Sequence, residues 1–184
     1  MLAIYAPIVR DTPISFEVEP PREAAFSRAI AETTEAHPWL VCEVGERLAG
    51  YAHASPHRAR AAYRWSVDVS VYVHDAFRRR GVARSLYAAL FTILRAQGYR
   101  RAHAGIALPN EGSVALHQSL GFRPVGVYPA VGYKLGAWHD VGWWQLELLP
   151  PGVPKPPKSI AQIRSDTECD RWLAVGLDNA PEAS

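Results

Sequence analysis

The chain has 184 residues, of which 48% are hydrophobic and 21% are charged, with a formal net charge of +2. This balance is typical of one globular domain and excludes a disordered or fibrous chain, while the small net charge argues against a general nucleic-acid-binding protein. Two cysteines, no apolar run near the ~20 residues of a membrane helix and no signal-peptide pattern predict a cytoplasmic protein.

The first half of the chain predicts one helix and three strands. A helical pattern runs from about Arg22 to Glu35. The runs "WLVCEV" and "RLAGYAHAS", separated by a turn, predict a β-hairpin. The clearest strand extends from Tyr63 to Val73, because apolar and polar residues alternate along it. Its valine-rich face is expected in the core, and its other face carries a lone carboxylate, Asp68.

The second half predicts helices and strands in alternation. Apolar residues at helical spacing after Gly81 predict a helix that ends at Gly98. "YRRAHAGIAL" predicts a strand, and Asn110 has the side chain of an N-cap for a short helix to Leu120. Two strands are then expected, at residues 122–134 and 138–148.

The proline-rich run "PPGVPKPPK" interrupts this pattern and predicts an extended linker. The sequence therefore divides into one domain over residues 1–149 and a linker with a loosely ordered tail over residues 150–184. The order of strands and helices predicts an α/β or α+β protein, in which helices flank a sheet.

The arginine cluster "RRRGVA", residues 78–83, lies between a strand and a helix. A helix that begins directly after a glycine loop points its backbone N–H groups and its positive dipole end at that loop. Arg79, Arg80 and Arg84 could add charge-assisted hydrogen bonds to phosphate oxygens. Neither the P-loop nor the Rossmann glycine pattern fits. A solvated basic turn is the alternative for the run alone, whereas the flanking strand and helix favour a pyrophosphate site.

"RRRGVA" resembles the Q/R-x-x-G-x-G/A signature of the GNAT acyltransferase superfamily. Four longer blocks are similar to the phosphinothricin N-acetyltransferase family: "ISFE", "HPWLVCEVGERLAGYAHASPHRARAAYRWSVDVSVYV", "GIALPNEGSVALHQSLGF" and "VGYKLGAWHDVGWWQ". They span roughly residues 12 to 149, in the family's order. The resemblance implies a GNAT fold with a mixed, mostly antiparallel sheet flanked by helices. Met1 then falls within the family's first helix, so the first strand is expected to be missing; either the true start lies upstream or the protein tolerates a shorter sheet.

The resemblance also implies acetyl-CoA as co-substrate and no metal. Backbone groups of Val71, Tyr72 and Val73 would pair with the pantetheine arm as an added strand. Asn110 would bond the pantetheine, a role compatible with its N-cap position. The pyrophosphate would be held by Arg79, Arg80, Gly81, Val82, Ala83 and Arg84.

Acetyl transfer to an amine needs a neutral amine and a proton for the departing thiolate. The family has Glu where this chain has Asp68, which makes Asp68 the candidate base. Because aspartate is one methylene shorter, its carboxylate retracts by ~1.5 Å, which favours a water-relayed proton path. His117 lies in the family block "LHQSLGF" and is implied as general acid or assisting base. A packed histidine and an exposed strand aspartate are the structural alternatives.

Substrates of this family are amino-acid-like, so their carboxylate requires a cation. Arg60 is expected to supply it, with Arg58 and Lys134 as alternatives, and Phe16 and Tyr63 are expected to line the pocket. Surface arginines and core aromatic residues are the commoner explanation for each residue alone.

The sequence thus predicts an N-acetyltransferase that acts by direct attack on a small-molecule amine, since no cysteine lies in the expected site. The resemblance implies a homodimer, and no nucleic-acid or membrane partner is expected. One alternative is an acyl-CoA-binding module whose catalysis is impaired by Asp68 and the shortened start. The other is nucleic-acid binding by the arginine cluster, which the low net charge disfavours.

Overall fold

The structure, a computed structural model, describes residues 1–177. Its first elements are the helices α1 (Leu2–Asp11) and α2 (Glu23–Thr34) and the strands β1 (Trp39–Val44) and β2 (Arg47–Pro56). β1 and β2 pair antiparallel around a turn at Gly45, whose φ of 60° suits glycine. The predicted helix and hairpin are confirmed.

The remaining elements follow the predicted alternation. They are β3 (Ser66–Val73), α3 (Val82–Gln97), β4 (Arg101–Leu108), α4 (Glu111–Ser119), β5 (Arg123–Lys134), β6 (Ala137–Glu147), α5 (Ile160–Arg164) and α6 (Cys169–Leu177). β3 begins at Ser66, later than the alternation predicts, because Ala61–Tyr63 form a single 3-10 turn. None of the helices within residues 1–177 combines the length and apolar character needed to cross a membrane.

The six strands form one open sheet in the order β1-β2-β3-β4-β6-β5. Every pairing is antiparallel except that of β3 with β4. The expected mixed, mostly antiparallel sheet flanked by helices is therefore confirmed. Within residues 1–177 no strand precedes α1, so β1 forms one edge of the sheet.

The hydrophobic core lies between one face of the sheet and α3. Val67 and Val69 of β3 are buried on this face, as the alternation predicts. Leu90 and Leu94 of α3 are fully buried against them. Removing each such side chain from water stabilises the fold by about 1.5–3 kcal/mol, which fixes α3 on the sheet.

The opposite face of the sheet is covered at one end by aromatic side chains from α1 and α2. Tyr5 of α1 meets the Tyr72 ring edge-on at 5.0 Å between ring centroids. Phe26 of α2 meets the Trp39 and Tyr51 rings. Asp68 lies on this same face, nearer the other end of β3.

β3 and β4 pair only over a short stretch. Their parallel register joins Ser66 to Arg101 and ends with Asp68 opposite His103. Beyond Asp68 the two strands separate, so the edge of β3 that faces β4 carries unpaired backbone groups. A gap therefore opens in the middle of the sheet.

The tail differs from the loosely ordered segment that the sequence predicts. Ile160 and Ile163 of α5 are buried, and α6 packs along α3. The Ser85 hydroxyl of α3 donates a hydrogen bond of 2.6 Å to the Gly176 carbonyl of α6. Short apolar stripes, too weak to stand out in sequence, find a partner on α3. Residues 178–184 of the expected tail lie outside the described residues, and the division at residue 149 stays a prediction.

Candidate active site

A cavity of about 430 Å³ opens where β3 and β4 separate. It is bounded by the end of β3, the loop before α3, the first turn of α3 and the first turns of α4. The lining residues that matter here are Val71, Tyr72, Val73, Arg78, Arg79, Gly81, Val82, Ala83, Arg84, Asn110, Ser113 and Leu116. The structure thus brings most of the predicted cofactor residues around one cavity.

The loop before α3 has a backbone shaped by two left-handed residues. Arg79 has a φ of 61° and Gly81, the N-cap of α3, has a φ of 86°. For a non-glycine residue the left-handed conformation costs on the order of 1–2 kcal/mol of conformational free energy, and Arg79 adopts it at this cost. No side chain caps this end of α3. The first N–H groups of a 16-residue helix are therefore free to bind an anion in the loop.

The arginines of the cluster have different surroundings. Arg79 and Arg84 line the cavity, and Arg84 also donates to the Ser119 hydroxyl at 2.9 Å. Arg78 lines it as well and pairs with Asp75 at 2.8 Å. Arg80 instead lies over the Phe77 ring, 5.9 Å from its centroid, and is not part of the lining. Arg80 is the one predicted pyrophosphate residue that stands apart from the cavity.

Asn110 closes the cavity at the start of α4. Its side-chain oxygen accepts a hydrogen bond of 3.1 Å from the Ser113 N–H, which is the predicted N-cap geometry. The amide nitrogen of Asn110 makes no hydrogen bond within residues 1–177. Asn110 can therefore cap α4 and still donate a hydrogen bond into the cavity.

A smaller cavity of about 70 Å³ lies deeper in the gap and is lined by Ser70, Tyr72, Tyr87 and His117. His117 is buried, and its Nδ1 lies 2.7 Å from the Ser113 carbonyl. Since a carbonyl can only accept, Nδ1–H donates and Nε2 accepts from the Tyr87 hydroxyl at 3.2 Å. Burial lowers the pKa of His117, so the ring is neutral near pH 7.

Asp68 stands at the foot of the gap, on the face away from α3. Its carboxylate lies 2.6 Å from Nδ1 of His57, which follows the last residue of β2. Burial raises the pKa of Asp68, and the His57 hydrogen bond and the Arg58 charge oppose this shift. His103 stacks on His57 with 4.0 Å between ring centroids. Burial, with the nearby cations, lowers the pKa of His103 to about 4, so this ring is neutral.

The three predicted substrate residues are not brought together. Arg60 and Tyr63 line a separate cavity of about 430 Å³ with Arg58 and Arg64. The Tyr63 ring meets the His57 ring edge-on, with 5.9 Å between ring centroids, and His57 in turn bonds Asp68. Phe16, in the connection between α1 and α2, lies against Gly132 of β5.

Comparison with known proteins identifies the family of this fold. A family model for the acetyltransferase (GNAT) domain matches residues 3–143. The chain belongs to the GNAT acetyltransferase family. A phosphinothricin N-acetyltransferase of Streptomyces viridochromogenes is 39% identical over 155 residues, covering 84% of this chain and 85% of that protein. An L-methionine sulfoximine/L-methionine sulfone acetyltransferase of Pseudomonas aeruginosa is 38% identical over 154 residues, covering 82% and 88%.

A solved structure extends this likeness to three dimensions. It is that of a GNAT superfamily phosphinothricin acetyltransferase from Sinorhizobium meliloti in complex with AcCoA, with a TM-score of 0.78 and 30% identity. The match covers 86% of this chain and 90% of that one. The predicted family and the predicted enzyme class, an acetyl-CoA-dependent acyltransferase, are confirmed. The alternative of a catalytically impaired module finds no support among these relatives.

The residues of this GNAT protein suit acetyl-CoA as a substrate. The unpaired edge of β3 offers backbone donors and acceptors to an amide-containing arm, and the uncapped end of α3 suits a pyrophosphate. Within residues 1–177 no group of three or more His, Cys, Asp or Glu side chains is placed to hold a metal ion.

Sequence analysis missed two residues that contact the candidate catalytic residues. His57 is 11 positions from Asp68, and only the antiparallel register of β2 with β3 brings the two together. Tyr87 is 30 positions from His117, and only the packing of α3 beside α4 joins them. The sequence offers one signal for His57 and Tyr87: each has a side chain that can form hydrogen bonds and lies in a turn or in an otherwise apolar segment.

Proposed function

We propose that this protein transfers the acetyl group of acetyl-CoA to the amino group of a small amino-acid-like substrate by direct attack. Phosphinothricin, methionine sulfoximine and methionine sulfone are the expected acceptors, because relatives at 38–39% identity are named for them. The observation that carries the proposal is the gap between β3 and β4. It leads from a loop suited to an anion at one end to a partly buried carboxylate, that of Asp68, at the other.

Acetyl-CoA would bind along the unpaired edge of β3. Backbone groups of Val71, Tyr72 and Val73 would pair with the pantetheine arm, and the Asn110 amide would donate to it. The loop and first turn of α3, residues Arg79 to Arg84, would hold the pyrophosphate through backbone N–H groups. Arg79 and Arg84 would add charge, whereas Arg80, which lies over Phe77, would contribute from farther away.

Asp68 supplies the carboxylate of the base in this proposal. An ammonium has no lone pair, so the acceptor amine must lose a proton before it attacks the thioester carbon. Support comes from the position of Asp68 at the last paired residue before the gap and from its partial burial. A water molecule would carry the proton across the distance that the short side chain leaves.

His117 would assist the removal of a proton from the acceptor amine, acting through Tyr87. A neutral imidazole whose Nδ1–H is held by the Ser113 carbonyl is a poor proton donor, which favours the role of assisting base over that of general acid. Its Nε2 orients the Tyr87 hydroxyl, which lines the small cavity. With its own proton donated to Nε2, the Tyr87 oxygen would accept a hydrogen bond from the acceptor amine, and the departing thiolate would take up, through water, a proton that the amine has released.

The acceptor amine would lie on the Asp68 face of the sheet. Tyr63, which contacts His57, would form one wall, and Arg60 would attract the carboxylate of the substrate from the neighbouring cavity. Phe16 would close the far side from the connection between α1 and α2.

We also propose a homodimer and a cytoplasmic location. Apolar side chains of β5 and β6 form an exposed surface, the β5–β6 apolar surface: Val125, Val127, Tyr128, Val131, Tyr133 and Trp138. A concentration of exposed apolar side chains on two paired strands favours a protein interface there. Two free cysteines suit a reducing compartment. The low net charge gives no support to nucleic acid as a partner.

The test is an acetyl-CoA turnover screen. CoA release would be followed with phosphinothricin, methionine sulfoximine, methionine sulfone and the free amino acids as acceptors. We expect release with at least one sulfoximine-like or phosphinothricin-like acceptor, together with a product whose mass is that of the N-acetyl derivative. The proposal fails if wild-type protein binds CoA but releases none above background with every acceptor.

A further inference from the structure

His57 and Asp68 form a close imidazole–carboxylate pair. Nδ1 of His57 and the Asp68 carboxylate are 2.6 Å apart, which is the range of a charge-assisted hydrogen bond. The two residues come from different strands, since His57 directly follows β2 and Asp68 lies within β3. An ionised carboxylate only accepts hydrogen bonds, so Nδ1–H of His57 is the donor, and in the neutral ring Nε2 carries a lone pair.

The surroundings hold the His57 ring in one orientation. The His103 ring is stacked on it at an interplanar angle of 12°, and the rings of Tyr63 and Trp143 meet it edge-on at 5.9 and 6.0 Å. Its side chain keeps 12% of its surface exposed, and Nε2 makes no hydrogen bond within residues 1–177. The free nitrogen of a fixed ring is therefore available to another molecule.

Each packed element presents its own titratable or charged groups to this pair. Asp68 faces His57 from β3, and Arg58 lies beside both, with its guanidinium over Trp143 at 5.4 Å. β4 contributes His103 and Arg101. Besides burial, the charges of the nearby His57, Arg58 and Arg101 lower the pKa of His103. Tyr63 completes the set from the 3-10 turn. Only Asp68 is negative, and it is the group bonded to the ring.

The hydrogen bond between His57 and Asp68 contains one proton. A second proton could bind either the His57 ring or the Asp68 carboxylate. The Asp68 carboxylate already accepts from Nδ1–H, whereas Nε2 of the neutral ring has an unengaged lone pair that can accept an arriving proton. The adjacent carboxylate stabilises the positive charge that the ring then carries, as in a catalytic histidine–aspartate pair. The basic atom of this pair is therefore Nε2 of His57.

We propose that Nε2 of His57 takes the proton of the substrate ammonium through water, and that Asp68 orients the ring and balances its charge. An N–H bond of the ammonium breaks and its electron pair stays on nitrogen. The proton passes to water, which gives one of its own protons to Nε2 and forms an imidazolium beside the carboxylate. The His57 ring thereby supplies the reach that the short Asp68 side chain lacks. This inference rests on the proposed acetyl transfer.

The kinetic test compares His57→Gln with His53→Gln. Glutamine at position 57 can still donate to Asp68 but cannot take a proton at neutral pH. His53 offers the matched control, because it lies on the same face, stacked on Trp39 at 4.1 Å, with Nδ1 unpaired. We expect His57→Gln to lower kcat/KM at least ~10²-fold and to remove the acidic limb of its pH profile, with an unchanged Kd for CoA. We expect His53→Gln to stay within a few-fold of wild type. Activity of His57→Gln within a few-fold of wild type would overturn the inference.

A second measurement needs neither activity nor a successful His57 variant. NMR of the imidazole nitrogens in the free protein would give the tautomer of His57, in wild type and in Asp68→Asn. We expect the Nδ1–H tautomer in wild type and a larger share of the Nε2–H tautomer in Asp68→Asn, because an amide oxygen is a weaker acceptor than a carboxylate. An Nε2–H tautomer in wild type, or the same tautomer populations in both proteins, would refute the inference. If no acceptor is acetylated, the proposed function fails, while the NMR result still decides whether the pair is built as described.

Discussion

Asp68 and His103 face each other at the last paired position of β3 and β4, and the two strands separate directly beyond them. The same pair of strands therefore does two things. Up to this position the two strands pair and the sheet is continuous over the core. Beyond it, the edge of β3 is open to a ligand. Because Asp68 sits at the junction, the proposed substrate in the gap and the proposed His57–Asp68 base would both be positioned by β3.

Gly81 is expected to be needed for acetyl-CoA and not only for folding. Its φ of 86° strains any other residue by on the order of 1–2 kcal/mol, so Gly81→Ala should shift the loop and raise the KM for acetyl-CoA at least ~10-fold. Gly98 is the matched control, since it ends the same helix with a φ of 97° and has open space for a Cβ. Gly98→Ala should lower Tm and leave this KM unchanged. Equal KM values for the two variants would contradict the assignment of the loop.

The arginines of the cluster should differ in their contribution to CoA binding. Arg79 lines the cavity and Arg80 does not, so Arg79→Ala should raise the Kd for CoA about 10-fold, and Arg80→Ala should raise it less. Both Kd values, measured by calorimetry at two salt concentrations, check this order. An effect of Arg80→Ala as large as that of Arg79→Ala would show that the loop rearranges when CoA binds.

Gly50 of β2 is expected to be essential for stability. A Cβ there would lie 2.7 Å from the Tyr72 carbonyl and 3.0 Å from Val82, and backbone cannot move aside cheaply. Gly50→Ala should therefore lower the free energy of unfolding in urea by about 1–3 kcal/mol. Gly126→Ala, in a strand position with nothing within 4 Å, is the control and should cost little. Similar losses in the two variants would argue against close packing at Gly50.

The stability of the protein should fall in mild acid because of buried neutral histidines. Burial lowers the pKa of His53 from 6.5 to about 4. A ring that is harder to protonate in the folded state stabilises the fold fully above pH 6.5, and this stabilisation is lost as the pH falls towards 4. His53 alone accounts for about 3 kcal/mol at most. Urea unfolding from pH 7.5 to 4.5 should therefore show a smaller loss in His53→Gln than in wild type; parallel curves would contradict this.

The β5–β6 apolar surface should mediate self-association. A charge at its centre is costly to bury, so Val127→Asp should shift the molar mass from dimer to monomer in light scattering after gel filtration. Val153 is 97% exposed and lies outside this surface, which makes Val153→Asp the control. A wild-type protein that is monomeric at micromolar concentration would rule out the homodimer.

Local patterns determined most of the fold. The alternation from Tyr63 to Val73 correctly assigned Val67 and Val69 to the core and Asp68 to the other face. Gly98 and Asn110 marked helix ends that the structure contains, because capping depends on a few neighbouring residues. The four family blocks added the acetyltransferase family, which no composition or periodicity argument could reach.

What the sequence by itself determined is therefore the order of elements, the family and the loop that begins α3, since each depends on residues close together in the chain. The tertiary structure alone decided that His57 bonds Asp68, that Tyr87 bonds His117 and that Arg80 turns away to Phe77. It also seated α5 and α6 on α3. These contacts depend on strand register and helix packing, which fix the distance between side chains that local patterns treat as independent.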